Sequence, residues 1–94
     1  MGMSFTLQYH QHVMQKDIPA LPKKERGRIR QAIQEKLTMH PEVFGKPLRR
    51  SLKGYRSLRV GDYRIVFRIE QHAVKIFVIG HRSVVYGDYK NRFR

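Results

Sequence analysis

Residues 46–68 of this sequence read KPLRRSLKGYRSLRVGDYRIVFR, and their pattern decides the fold. Apolar and basic side chains alternate along two halves of the stretch, as they do in strands that pack one face and expose the other. The pair Gly61-Asp62 between the halves is a strong signal for a two-residue hairpin turn. We therefore predict a β-hairpin with strands over residues 55–60 and 63–70. The alternating apolar residues are Leu58, Val60, Ile65 and Phe67.

The same stretch is strongly basic. It contains eight Lys or Arg residues and one acid, Asp62, and the whole chain has a formal net charge of +13. A positively charged sheet face attracts a polyanion, and phosphate is the obvious candidate. Binding to a membrane surface usually depends on one basic amphipathic helix, whereas here the cations continue through the predicted strands. The charge therefore favours a nucleic acid or an acidic protein as the partner.

Length and composition predict one domain over residues 1–94. A hydrophobic content of 40% suffices for one packed core, and the absence of cysteine excludes disulfides, thiolate catalysis and cysteine-based zinc sites. No apolar run has the length of a membrane span and no secretory leader is visible, which predicts a soluble cytoplasmic protein. We interpret residues 1–3 as a cloning remnant and residues 87–94 as a C-terminal tail.

The rest of the chain predicts an α+β fold. Residues 4–10 alternate as a strand, residues 11–20 form a short helix, and a second helix begins at Pro22. Residues 38–47 form a loop, and the nearly continuous apolar run over 74–80 is typical of a central strand. The apolar stripe of the second helix consists of Ile29, Ile33 and Leu37. We predict an N-terminal strand, a helical hairpin and a three-stranded antiparallel meander, in one sheet covered by helices.

The titratable residues contain no motif for metal-dependent chemistry. The seven acids lie singly along the chain, without the spacing of a metal site or of a glycosidase dyad. His10 and His12 share one strand face, but two histidines without carboxylate support are weak as a metal site. We therefore predict no metal and no cofactor.

The end of the last strand carries the best candidates for acid–base chemistry. His81 and Arg82 follow the apolar run, and Tyr86 comes four residues after Arg82. Loops after strands are common positions for functional residues on a rigid scaffold. A structural role is the alternative, in which His81 closes the strand, Arg82 is solvated and Tyr86 covers the edge of the core. These residues alone favour the structural role.

Two runs, LRVGDYRIVFRI (58–69) and VKIFVIGHRSVVY (74–86), resemble the RelE/ParE family of bacterial toxins. Residues 16–41 resemble the helical hairpin of that family, so the resemblance covers nearly the whole chain in the expected order. It implies the toxin of a type II toxin–antitoxin system. RelE-type members are metal-independent endoribonucleases that cut messenger RNA on the ribosome and inhibit translation. ParE-type members share the fold and poison DNA gyrase.

The resemblance also implies roles for individual residues. Arg64 matches the family arginine after the hairpin tyrosine, and Arg82 and Tyr86 match the arginine and tyrosine after the last strand. His81 stands where the best-known pattern has lysine, and Arg59 takes the position of a basic strand residue. The implied catalytic set is Arg59, Arg64, His81, Arg82 and Tyr86. Arg49 matches an arginine of the loop before the hairpin. From their charge we expect the remaining cations of the stretch to contact the RNA backbone, and these are Arg49, Arg50, Lys53, Arg56 and Arg68.

Metal-free RNA cleavage needs a base for the 2′-hydroxyl, cations for the charge on the phosphorane and an acid for the leaving 5′-oxygen. Arginine suits the second task because its planar fork holds two phosphate oxygens and keeps its charge. We expect Arg64 at the scissile phosphate, with Arg82 or Arg59 completing the clamp. Tyr86 and His81 both stay open as the base.

The implied partners are a cognate antitoxin, the ribosome with its messenger RNA, and operator DNA bound only through the toxin–antitoxin complex. Two alternatives stay open at this point. A ParE-like gyrase inhibitor would not need Arg64 and Tyr86 as catalysts, and a non-enzymatic RNA-binding module would need only the basic sheet face.

Overall fold

A computed structural model describes residues 4–87 and contains a five-stranded sheet in the order β1-β5-β4-β3-β2. The strands are β1 (Thr6–Tyr9), β2 (Lys46–Pro47), β3 (Arg56–Val60), β4 (Tyr63–Glu70) and β5 (Ala73–His81). β1 pairs with β5 in parallel, and the other neighbours are antiparallel. The predicted α+β class and three-stranded meander are confirmed. β5 lies between β1 and β4, as its apolar sequence indicated.

The helices precede the meander, as predicted. A π-helical turn over Val13–Asp17 leads into α1 (Ile18–Ala20), and α2 (Lys23–Ala32) continues into a second π-helical turn over Ile33–Leu37. The predicted loop over residues 38–47 was incomplete, because the structure has a short helix α3 (Pro41–Phe44) and the edge strand β2 there. Within residues 4–87, no helix has both the length and the hydropathy needed to span a bilayer.

The sheet buries apolar side chains on both faces, but unequally. The large core lies between the sheet and the helices, where Ile65, Phe67 and Val74 are fully buried against Ile29 and Leu37. The opposite face, which we call the open face, has a small second core. This second core consists of Val66, Val78 and Val85, with Leu48, Leu52, Tyr55, Phe77 and Tyr86 packed against it. The open face is therefore the place where polar side chains of the strands can meet a partner.

The β3–β4 hairpin fixes which side chains reach the open face. Gly61 has a φ of 60°, the left-handed conformation that a type II′ turn requires at its first central residue. This turn brings Arg59 opposite Arg64 in the ladder and Leu58 opposite Ile65. Because the second pair is buried in the large core, the two arginines face the other way.

A β-bulge interrupts the pairing of β4 with β5. Val66 pairs with Val78, but the next residue, Phe67, pairs with Ile76, so Phe77 is an extra residue in β5. Phe77 and Val78 both belong to the second core and therefore lie on the open face.

A buried carboxylate joins the first helical segment to β5. The backbone N–H of Ile79 donates a hydrogen bond of 2.9 Å to Oδ2 of Asp17, whose residue is only 8% exposed. The pairing of β1 with β5 extends no further than Ile76. Asp17 thus supplies the acceptor that a neighbouring strand would otherwise provide.

Gly45 is required where α3 turns into β2. A Cβ added there would collide with Cζ of Phe67 and would lie 2.8 Å from Cε1 of the same buried ring. We expect Gly45→Ala to lower the free energy of unfolding by about 1–3 kcal/mol because the core would be overpacked. Urea denaturation measures this change.

The matched control is Gly27→Ala. Gly27 is exposed inside α2, and a Cβ there would meet no atom within 4 Å. Alanine should raise the free energy of unfolding by about 1 kcal/mol through helix propensity alone. Equal effects of the two substitutions would contradict the packing account of Gly45.

Candidate functional site

A groove of about 760 Å³ opens between the β3–β4 hairpin and the segment that contains α3 and β2. Its cationic wall carries Arg59 and Arg64, and its apolar wall carries Val43, Phe44 and Pro47. The remaining lining residues are Glu42, Gly45, Lys46, Leu48, Arg56, Ser57 and Tyr86. The groove therefore combines guanidinium groups, a phenol and an apolar surface in one open cleft.

Arg59 and Arg64 are direct partners across the β3–β4 ladder. Like charges directly opposite each other destabilise a sheet, so this pair lowers the stability of the folded protein. Nη1 of Arg64 donates hydrogen bonds to the carbonyl oxygens of Gly61, at 3.1 Å, and Tyr63, at 3.0 Å. These bonds hold one end of the guanidinium at the hairpin turn. A bound anion would relieve the repulsion between the two arginines.

Tyr86 reaches the same groove across the open face, from the segment that follows β5. Its neighbour Val85 is fully buried in the second core, which anchors the segment after β5. The phenol oxygen Oη donates a hydrogen bond of 3.3 Å to Oγ of Ser57. Ser57 is buried, with only 8% of its surface exposed, and it lies two residues before Arg59 on the same strand face. The hydroxyl of Ser57 therefore fixes the position of the phenol beside the arginines.

Sequence reasoning did not select Ser57. The available signal was its place in the alternation, because every second residue of β3 from Ser57 shares the face of Arg59.

His81 and Arg82 lie outside the groove lining. His81 is the ladder partner of Tyr63, and the two rings pack edge to face with centroids 5.6 Å apart. Nδ1 of His81 lies 2.8 Å from Oγ of Ser83. Tyr63 packs against the helix-facing core, so His81 lies on the face opposite Arg64.

Arg82 is close to the hairpin turn. Its backbone N–H donates a hydrogen bond of 2.8 Å to the carbonyl oxygen of Asp62, and its Nε lies 3.8 Å from Oδ1 of the same residue. The side chain is 62% exposed. Arg82 thus lies at the same end of the sheet as Arg64, outside the groove.

Two of the arginines expected to bind RNA have partners within the chain. Nη1 of Arg56 donates hydrogen bonds to the carbonyl oxygens of Gly45, at 2.9 Å, and Glu42, at 3.3 Å, and so ties α3 to β3. Arg68 forms an ion pair with Glu70, and its Cζ lies 5.4 Å from the ring centroid of Tyr55. Both interactions stabilise the fold.

The other three cations of the expected RNA-binding set precede β3. Arg49, Arg50 and Lys53 are exposed and do not line the groove. They extend the positive charge of the open face away from the arginine pair. His10 and His12 also lie apart from the groove, with ring centroids 5.1 Å apart. Within residues 4–87, no three His, Asp or Glu side chains form a group that could hold a metal ion.

The different surroundings of Arg59 and Arg68 predict opposite effects on stability. Arg59→Gln should raise the free energy of unfolding by a few tenths of a kcal/mol, up to about 1, because it removes the repulsion with Arg64. Arg68→Gln should lower it by about 1 kcal/mol, because the ion pair and the aromatic contacts are lost. Urea denaturation at low salt measures both.

Raising the salt concentration provides the control for this pair of variants. The gain from Arg59→Gln should shrink at high salt, because ions screen exposed charges. A loss of stability in Arg59→Gln at low salt would contradict the repulsive pairing.

Together, the fold and groove define a small basic α+β protein with a paired-arginine cleft, and known proteins share this architecture. The model of the ParE toxin family, from type II toxin–antitoxin systems of the parDE kind, matches residues 12–86. The chain is 38% identical over 73 residues to Toxin RelE of Mycobacterium tuberculosis, covering 76% of this chain and 75% of that protein. It is 44% identical over 52 residues to Toxin RelG of the same organism, covering 53% and 60%.

Solved structures share the fold. The toxin–antitoxin complex RelBE2 of Mycobacterium tuberculosis contains a chain with a TM-score of 0.78 and 31% identity, covering 86% of this chain and 94% of that one. A mutant of the Escherichia coli toxin RelE, solved with a peptide of its antitoxin, has a TM-score of 0.65 at 20% identity and covers 93% and 95%. The chain therefore belongs to the RelE/ParE family of toxins of type II toxin–antitoxin systems.

Proposed function

We propose that this toxin is a metal-independent endoribonuclease that cleaves messenger RNA on the ribosome and thereby inhibits translation. The observation that carries the proposal is the groove itself, where Arg59 and Arg64 face each other beside the phenol of Tyr86. Phosphate is the anion that two adjacent guanidinium groups bind best. The apolar wall opposite them suits the bases of a single strand.

The proposed reaction is attack of a ribose 2′-oxygen on the adjacent phosphorus. The 2′-hydroxyl proton passes to the base and the P–O5′ bond breaks. The leaving 5′-oxygen takes a proton from solvent, which leaves a 2′,3′-cyclic phosphate and a 5′-hydroxyl. Arg64 and Arg59 neutralise the extra charge on the phosphorane, and this stabilisation is greatest in the transition state. Arg82 lies near enough to the turn to contact a neighbouring phosphate from outside the groove.

Tyr86 in its phenolate form is the proposed base, and the hydroxyl of Ser57 orients it. The hydrogen bond between Tyr86 and Ser57 keeps the phenol oxygen on the groove side of β3, where the 2′-hydroxyl of a bound strand would lie. The place of His81 on the opposite face makes it the weaker candidate.

A cognate antitoxin is the proposed protein partner. The structural relatives from Mycobacterium tuberculosis and Methanococcus jannaschii were solved as complexes of a RelE toxin with a RelB antitoxin. A net charge of +13 favours an antitoxin with an acidic segment. We propose that operator DNA is bound only through this complex, and that the toxin acts in the cytoplasm, where messenger RNA is translated.

Removal of the Arg64 guanidinium tests the nuclease directly. Arg64→Ala should reduce messenger cleavage by about 10²–10³-fold, because one group that stabilises the transition-state charge is lost. Arg64→Lys should recover only part of the activity, because an ammonium group lacks the planar fork. Induced expression followed by primer extension on messenger RNA measures the cuts. Unchanged cleavage in Arg64→Ala would remove the assignment.

Tyr86→Phe distinguishes two possible roles of Tyr86, which are to accept the proton and to stack on a base. Loss of the hydroxyl should reduce cleavage by about 10²–10⁴-fold if Tyr86 accepts the proton, while the ring remains able to stack. Tyr63→Phe is the matched control, because Tyr63 packs toward the helix-facing core, and cleavage should be unchanged. Full cleavage by Tyr86→Phe, with loss only in Tyr86→Ala, would assign the ring to stacking.

DNA gyrase inhibition is the second candidate function, and the match to the ParE toxin model favours it. On that account the toxin would produce DNA cleavage complexes with purified gyrase, and messenger RNA would stay intact in translating cells. Toxicity would then persist in Arg64→Ala and Tyr86→Phe. The primer-extension experiment and a gyrase cleavage assay on the same variants distinguish the two functions.

A further inference from the structure

The exposed face of α2 is a second cationic surface, separate from the groove. Lys24 and Arg28 lie one helical turn apart on one side of this face, and Lys23 and Arg30 lie on the other side. Gly27 and Gln31 lie between the two rows and are exposed. We call this surface, Lys23, Lys24, Gly27, Arg28, Arg30 and Gln31, the α2 face.

The α2 face has two features that lower the stability of the helix. Lys23 and Lys24 are the first two residues of α2, where the positive end of the helix dipole disfavours cations. Gly27 lies inside the helix, where glycine is less favourable than alanine. A Cβ added to Gly27 would have no atom within 4 Å, so packing within the described residues does not require glycine. A partner that approaches the helix backbone closely would explain the residue.

The α2 face approaches the cationic wall of the groove at the hairpin turn. An ideal Cβ on Gly61 would lie 3.3 Å from Nη1 of Arg28, so the guanidinium of Arg28 reaches the hairpin turn. The carbonyl oxygen of the same glycine accepts a hydrogen bond of 3.1 Å from Nη1 of Arg64. Arg28 also pairs with Glu25 at 3.3 Å, yet its side chain is 52% exposed. Gly61 thus lies between a cation of α2 and a cation of the groove.

We infer that the α2 face binds the phosphate backbone of an RNA strand, with Gly27 as the point of closest approach. The two rows of cations contact phosphates on either side of the glycine. The Gln31 side chain donates to Oε2 of Glu35 at 3.0 Å, which leaves its amide oxygen to accept a ribose 2′-hydroxyl. The choice of RNA among polyanions rests on the proposed function, whereas the cationic surface itself does not.

A binding assay on the full chain tests this inference. The Arg64→Ala protein serves as the common background, because under the proposed function its cleavage of RNA is reduced about 10²–10³-fold. Fluorescence anisotropy with a labelled single-stranded RNA oligonucleotide of mixed sequence gives the affinity over a salt series. Lys24→Gln and Arg28→Gln should each weaken binding several-fold and reduce the slope of log K against log salt by about 0.7. Lys16→Gln is the charge-matched control on another helical segment and should leave the slope unchanged.

Gly27→Leu tests whether close approach to the helix backbone contributes to RNA binding, apart from the charge of the α2 face. Leucine keeps every cation and favours the helix, so the thermal midpoint should rise, while RNA affinity should fall because the side chain blocks close approach. Gly27→Ala should raise the midpoint with a smaller loss of affinity. Unchanged affinity in Gly27→Leu would overturn the role of the glycine.

Three further results would overturn the inference. Unaltered salt slopes in both Lys24→Gln and Arg28→Gln would show that the α2 face does not contact phosphates. Equal binding of a DNA oligonucleotide of the same sequence would overturn the assignment to RNA. Displacement of the RNA from the α2 face by polyglutamate at equal concentration would assign the surface to an acidic protein. Because every readout is binding and none is cleavage, failure of the nuclease proposal would leave these results interpretable.

Discussion

The register of the β3–β4 hairpin is the constraint on which the rest of the structure depends. Leu58 and Ile65 are opposite each other and buried, so each arginine beside them must face away from the helices. A slip of one residue would move Arg59 and Arg64 into the large core, where an unpaired charge costs several kcal/mol. The two-residue turn and the core therefore enforce the same register, and the arginine pair results from it.

The two faces of the sheet differ in how much apolar surface they bury, and this difference explains how such a basic chain folds. The helix-facing core supplies most of the burial, so the open face can hold side chains that repel one another. Some cations of the sheet are nevertheless structural, since Arg68 on the open face lies between an acid and aromatic rings, and Arg56 on the face of Leu58 binds carbonyl groups. Some of the charge on the open face thus stabilises the fold and some is left exposed, and only the surroundings of each side chain distinguish the two.

Local sequence signals predicted the hairpin, the helices and the apolar strand, because alternation and the Gly61-Asp62 turn act over a few residues. They missed α3 and β2, since a two-residue strand has no period and proline and glycine indicate a loop. They could not reveal the partners of Arg56, which are carbonyl groups 11 and 14 residues away. Ser57 was missed because a lone serine becomes informative only when Tyr86 contacts it.

The bulge at Phe77 has a consequence for how the family site could diversify. The extra residue reverses which sheet face each later residue of β5 points to. As a result, Gly80 is the ladder partner of Arg64 and His81 is the ladder partner of Tyr63. In a β5 of the same length that lacked the bulge, simple alternation from Ile76 would turn Gly80 toward the helices and the imidazole of His81 toward the open face. The presence of the bulge, without any substitution at the site, thus determines whether glycine or a titratable group shares a face with the arginine pair.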